Sequence, residues 1–194
     1  MIKLNLKIYA YAILGLAFMT FAVIFVIHQD LTSIDFQKTI KDVSYTISIN
    51  FFIWLGFVKW GWKWKMFHGW LVPFPNLSGK WKGHLKSNWE NAKHEPILTE
   101  IEIKQTFFHM TIRLKTGESE SFSNSASFDI DVERNINQLF YSYTNYPKPS
   151  VRERSQIHYG TTLLRFNEYP VKNMTGEYWT SRESTGEIEI EKEE

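Results

Sequence analysis

From Ile8 to Ile27 the chain reads IYAYAILGLAFMTFAVIFVI, a run without a single charge. At about 1.5 Å per residue in a helix, this stretch just spans a hydrocarbon core of about 30 Å. It leaves no polar face for a helix on the surface of a soluble domain, so it predicts a transmembrane helix over 8–27. Lys3 and Lys7 ahead of it would also suit a secretory signal peptide. The apolar run is too long for one, and VIHQD supplies no small-residue cleavage site.

A second uncharged run, VSYTISINFFIWLGFV, extends from Val43 to Val58, diluted by Ser44, Thr46, Ser48 and Asn50. Trp60 and Trp62 lengthen it, because indole rings favour the headgroup level, and a second span over about 43–62 is expected. The loop HQDLTSIDFQKTIKD would close the two spans into a hairpin, with a re-entrant or interfacial amphipathic helix as the competing reading. Asn50, a polar amide at mid-depth, calls for a partner on the neighbouring helix, and Thr20 is the candidate; contact with a second copy is the alternative. Lys3 and Lys7 precede the first span and Lys59, Lys63 and Lys65 follow the second, whereas Lys38 and Lys41 in the loop are offset by Asp30, Asp35 and Asp42. Positive-inside therefore puts both termini in the cytoplasm. If the helix continues through KWGWKWKMFHGW, then Trp60, Trp62 and Trp64 ring it as an interfacial collar beside Lys59, Lys63 and Lys65.

Charge is scarce before residue 59 and abundant after it, which divides the chain at about residue 70 into a membrane part, 1–70, and a soluble domain, 71–194. The formal net charge of +1 implies no DNA or RNA partner. There is no cysteine, hence no disulfide, thiolate metal site or cysteine nucleophile. None of the six histidines forms an HxH or HxxxH pair, and neither a metal nor another cofactor is expected.

After VPFPNLSG the pattern becomes short alternating runs between turn signals. Eight strands are expected: Lys80 to Ser87, Ile97 to Gln105, Met110 to Lys115, Ser119 to Asp129, Gln138 to Asn145, Ser155 to Phe166, Thr175 to Arg182 and Glu187 to Glu191. KTGE and STGE are read as turns whose glycines take positive φ. In the second strand Ile97, Ile101 and Ile103 share a face with Gln105, and in the last Ile188 and Ile190 oppose Glu187, Glu189 and Glu191. Sequential antiparallel strands in so short a domain close most economically as a compact eight-stranded up-and-down β-barrel, with an open sandwich as runner-up.

Two faces sit poorly with a packed core. Tyr141, Tyr143 and Asn145 share one, and Tyr178, Thr180 and Arg182 share another. If these point inward, the barrel holds a guanidinium that must be paired, wetted at the mouth or awaiting an anion. If they point outward, Trp179 fills the core and Arg182 pairs with a surface glutamate. His158 shares a face with Gln156, Gly160 and Thr162, and Ser121 lies with Ser119 and Ser123, patterns as compatible with a rim or solvated strand as with a site. No GxSxG, GxxxxGK[ST] or paired-carboxylate motif occurs, so no catalytic residue is nominated and the chain is not read as an enzyme.

PNLSGKWKG, IEIKQTF, YSYTNYP, RSQIHYGTTLL and TGEYWTSRESTGEI, in that order behind two membrane helices, give the chain a family likeness. It resembles the CD-NTase-associated two-transmembrane β-barrel effectors of bacterial CBASS antiphage systems. The resemblance implies a cytoplasmic barrel that binds a cyclic dinucleotide made by a partner nucleotidyltransferase. It further implies a homo-oligomer on activation and disruption of the inner-membrane bilayer, killing the infected cell. On that footing Arg182 and Arg152 are candidates for phosphate, with Thr180 and His158 as nearby donors. Tyr141 and Tyr143 would stack on bases, and Gln105, Ser121 and Asn145 would read base edges. Gly79-Lys80-Trp81 also resembles the first strand of lipocalins, which keeps open a membrane-tethered carrier of apolar ligands.

Overall fold

The computed structural model describes residues 6–28, 35–89, 95–131, 133–167 and 169–193. It divides into two units, Lys3–Pro73 and Phe74–Glu194. Lys3, Asp30 and residues 29–34 of the expected loop lie outside the described residues.

The first unit contains two helices, α1 (Leu6–His28) and α2 (Phe36–Lys59). Only α1 is long and apolar enough to count as a span among the described residues, and none of it is buried. Helix α2 begins seven residues earlier than expected, because Asp35 caps it, accepting from the Gln37 and Lys38 amides at 2.8 and 3.4 Å. Its first turns therefore carry Lys38, Lys41 and Asp42, residues expected in the loop.

The helices run antiparallel. Asn50 Nδ2 donates to Thr20 Oγ1 at 2.6 Å, as the sequence suggested, and His28 Nδ1 lies 2.9 Å from Asp42 Oδ1. Eight residues along one helix thus match eight back along the other. The polarity of α2 is inverted: Asp42, Thr46 and Asn50 are buried, whereas Ile47, Phe51, Phe52 and Leu55 are exposed.

Helix α2 stops at Lys59, where the Trp60 amide donates to Gly56 O at 2.9 Å, and short 3-10 turns follow at Gly61–Lys63 and Lys65–Phe67. The tryptophans therefore do not ring a continuous helix. Trp60 and Trp64 are exposed, Trp62 is buried, and Lys59 and Lys63 sit 5.4 and 5.7 Å from the rings of Trp60 and Trp62. Gly61 packs closely on Phe57, where a Cβ would lie 3.1 Å from the ring.

The second unit is a closed barrel of eight antiparallel strands in sequence order. They are β1 (Gly79–Ser87), β2 (Ile97–Gln105), β3 (Met110–Thr116), β4 (Ser119–Asp131), β5 (Ile136–Pro147), β6 (His158–Arg165), β7 (Asn173–Thr180) and β8 (Thr185–Lys192). Closure pairs β1 with β8, from Trp81 opposite Lys192 to Ser87 opposite Gly186, so the barrel has no free edge strand. Three expectations change. Strand β6 starts at His158 rather than Ser155, because Pro149–Val151 forms a 3-10 turn before it. Strand β7 ends at Thr180, which puts Arg182 in a turn. The positive φ of that turn belongs to Glu183, at 61°, while Gly186 lies inside β8; Gly117 in KTGE has no positive φ either.

One end of the barrel is tightly packed. Phe74 stacks on Phe128 with centroids 5.6 Å apart, Phe128 meets Phe166 edge-on at 6.3 Å, and Trp81, fully buried, donates from Nε1 to Leu77 O at 3.0 Å.

Candidate functional site

At the other end the barrel encloses a cavity of about 680 Å³, within the range of ligand pockets. Its wall follows from register. Ser121 lies opposite Asn145 and Asn145 opposite His158, giving one row of polar side chains across β4, β5 and β6. One step deeper, Tyr143 faces Gly160, which faces Thr180. Deeper again, Tyr141 faces Thr162, Thr162 faces Tyr178, and Tyr178 faces Gly186. Gly160 makes room for a phenol, since a Cβ there would run into the end of Tyr143; at Gly186 a Cβ would meet the Lys86 carbonyl first and the Tyr178 ring next, at 2.6 Å.

Arg182 enters from the β7–β8 turn. The Thr180 amide donates to Ser184 O at 2.9 Å, and the Ser181 amide ties the turn to Tyr159 O at 2.9 Å. From that base the guanidinium donates to Ser155 Oγ at 3.1 Å, lies 3.5 Å from His158 Nε2, and sits 5.8 Å from the Trp89 ring. It has no carboxylate partner among the described residues. Burial depresses its pKa, while Tyr143 and Tyr178 pull the other way. An arginine remains charged through any such shift, so the cavity holds an uncompensated, partly desolvated cation.

His158 is buried, with Nδ1 2.8 Å from Gln156 O. Burial lowers its pKa below the ordinary histidine value; the Gln156 carbonyl pulls the other way, and the nearby Arg182 adds to the lowering. Burial also raises Tyr143 and Tyr178, which stay neutral phenols able to donate.

The polar faces thus point inward, and Trp179 points out. Arg182, Thr180, His158, Tyr143, Asn145 and Ser121 come together on the cavity wall. Three other candidates do not. Tyr141 lies one layer below, its ring 5.9 Å from that of Tyr143. Arg152 is exposed and not part of the lining, its Nε donating to the carbonyl of the rim residue Pro147 at 3.2 Å. Gln105 sits at the opposite end of β2 from the lining residue Ile97, its amide occupied by Pro75 O at 3.0 Å and the Leu77 amide at 2.8 Å. Its inward alternation was read correctly, but its height along the barrel was not visible in the period.

The structure adds Trp89, Arg154, Ser155 and Tyr178. Arg154 pairs with Glu118 at 2.5 Å at the mouth. Trp89, Arg154 and Ser155 lie between strands, where alternation gives no signal. Tyr178 had one: it alternates onto the same face as Thr180 and Arg182.

Residues 72–192 match the family described as Cap15, cyclic dinucleotide receptor domain. The CD-NTase-associated protein 15 of Staphylococcus schleiferi is 34% identical over 150 residues, covering 77% of this chain and 78% of that protein. Its namesake in Escherichia albertii is 28% identical over 165 residues, covering 81% and 83%. The Yersinia aleksiciae protein of that name is 34% identical over 110 residues, covering 56% and 50%.

Proposed function

This chain belongs to the Cap15 family of CD-NTase-associated CBASS effectors, and from that membership we propose that its barrel binds a cyclic dinucleotide in the cavity beneath Arg182. The observation that carries the reading is a guanidinium without a carboxylate partner among the described residues, facing two phenols in a wall whose other arginine, Arg154, is paired with Glu118. A cyclic dinucleotide offers phosphates to the former and base faces to the latter. Arg182 is the phosphate anchor, Thr180 and His158 flank it, Tyr143 and Tyr178 are the stacking surfaces, and Ser121 and Asn145 present hydrogen-bonding groups to base edges. The ligand would come from the partner nucleotidyltransferase that gives the family its name.

The helical unit is the effector arm, a two-pass hairpin in the bacterial inner membrane with both termini cytoplasmic. The inverted polarity of α2 supports a second span, because apolar side chains outside and Asn50 and Thr46 inside suit lipid rather than water. Lys7 in the first turn of α1, Lys59 at the last residue of α2, and Lys63 and Lys65 beyond it support the orientation. Trp60 and Trp64, with the three lysines, form the interfacial edge of a membrane part ending near residue 70. The sensing domain begins there. Ligand binding drives self-association, and the assembled hairpins breach the bilayer.

One experiment addresses sensor and effector together. The full chain in liposomes is titrated with cyclic di-AMP, cyclic di-GMP and mixed cyclic dinucleotides, reading affinity, crosslinked species and dye release. One of these should bind, assemble the protein and release dye, and Arg182→Ala should weaken binding at least about 100-fold. Unchanged affinity in that variant removes Arg182 from the site. Tight binding without assembly or release leaves a sensor and discards the effector arm.

A further inference from the structure

The two ring nitrogens of His158 are assigned by their partners. A carbonyl oxygen only accepts, so Nδ1, 2.8 Å from Gln156 O, carries the proton. A guanidinium only donates, so Nε2, 3.5 Å from Arg182 Nη2, presents its lone pair. The free site therefore selects a neutral imidazole whose cavity-facing atom is an acceptor.

A phosphate oxygen is also an acceptor, and its arrival beside Arg182 sets two lone pairs against each other. Moving the ring proton from Nδ1 to Nε2 would relieve this clash only by creating another, a lone pair against the Gln156 carbonyl. Adding a proton satisfies both sides, since Nδ1–H still donates to Gln156 and Nε2–H donates to the phosphate. We propose that cyclic dinucleotide binding takes up one proton from solvent at His158, making Arg182 and the imidazolium a two-cation phosphate clamp that exists only in the complex. This rests on the cavity being the cyclic dinucleotide site.

The remaining charged or titratable groups of the wall are Tyr143 from β5, Tyr178 from β7, Arg154 from the link before β6, Glu118 from the β3–β4 turn and Glu95 before β2. The phenols are held neutral by burial, and Glu118 is paired with Arg154. A carboxylate losing its charge at low pH would also favour an anion, so the test must separate the histidine from Glu95 and Glu118.

The sign follows from linkage. The free-site pKa of His158 lies below its ordinary value, and binding raises it. Affinity is therefore highest at low pH and falls as pH rises toward the bound-site value, by at most about tenfold per pH unit for one proton. Calorimetry on the full chain in nanodiscs, with the same cyclic dinucleotides, would be run between about pH 5.5 and 8, the range in which histidine titrates. PIPES and ACES buffers, which differ in ionisation heat and carry no phosphate, report proton uptake near neutral pH. The expected result is a heat that differs between buffers by up to one proton per ligand, a Kd that weakens with pH, and loss of both effects in His158→Gln. Equal heats and a flat Kd in the wild-type chain, with tight binding, overturn the proposal while leaving the site intact. A pH slope that persists in His158→Gln assigns the proton to a carboxylate and overturns it as well. Absence of binding by every nucleotide at every pH overturns the site reading beneath it.

Discussion

Along four consecutive strands the inward-facing residues change character from one end of the barrel to the other. Strand β5 runs Leu139, Tyr141, Tyr143, Asn145, and β6, its antiparallel neighbour, runs Leu164, Thr162, Gly160, His158 over the same height. Strand β7 runs Met174, Gly176, Tyr178, Thr180, and β8 runs Ile190, Ile188, Gly186 to Ser184 just before it. One end is aliphatic and aromatic, joined by Phe74, Trp81 and Phe128; the other is hydroxyl, amide, imidazole and guanidinium around space. The difference separates two tasks that a uniform core would confound. The packed end supplies the burial that holds the sheet closed, so the open end can keep polar groups oriented without filling the volume between them.

The comparison breaks most directly at Trp81. Its ring is fully buried and its Nε1–H is bound to Leu77 O. Trp81→Ala should cost about 3–5 kcal/mol in a denaturant titration. A cost below about 1 kcal/mol would mean that the packed end does not carry the fold. Gly160→Ala is the matching change at the open end, where the new Cβ meets the ring end of Tyr143 rather than backbone. It should cost only about 1 kcal/mol, the low end for overpacking, while displacing the phenol and weakening nucleotide binding by more than tenfold. Unaltered affinity in a folded Gly160→Ala protein would take Tyr143 off the ligand.

Sequence alone conveyed the barrel because its signal is local: Ile101, Ile103 and Gln105 alternate with Glu102 and Lys104 whatever their neighbours do. Location along the barrel axis is set by register, which links residues far apart in the chain. This is why Gln105 was grouped with Asn145 although it serves the opposite end. Arg152 is the candidate that the sequence offers, whereas the lining holds Arg154, two residues on in a link with no repeating pattern. Asn50 and Thr20 were legible because a polar amide in an apolar run has few places to go. The start of α2 is set by the Asp35 cap, which the apolar run beginning at Val43 does not mark. The Trp-Lys stretch was misread as helical because its composition says interface but not backbone conformation.

Tyr141 marks the border between the two ends, and the smallest expected effect tests where that border runs. Its phenol is fully buried, and its hydroxyl finds no hydrogen-bond partner of good geometry. Burial pushes the pKa up to about 12, against a smaller opposing influence from Thr162. Below about pH 10 the phenol is neutral in folded and unfolded chains alike, and the stability tied to its protonation is fully present. As pH rises through 10 toward 12, the unfolded chain ionises first and up to roughly 3 kcal/mol is lost. Tyr141→Phe should remove that alkaline loss, visible as a flatter stability profile above pH 10. At neutral pH it should leave stability unchanged or raise it by up to about 1 kcal/mol, because the hydroxyl it deletes is desolvated without compensation. A loss instead of a gain would show that the hydroxyl is satisfied in solution, and the polar region would then extend one layer deeper. Reduced nucleotide affinity in the same variant would carry it deeper still, placing the ligand against Tyr141 and leaving Leu139 and Leu164 as the first layer of the packed end.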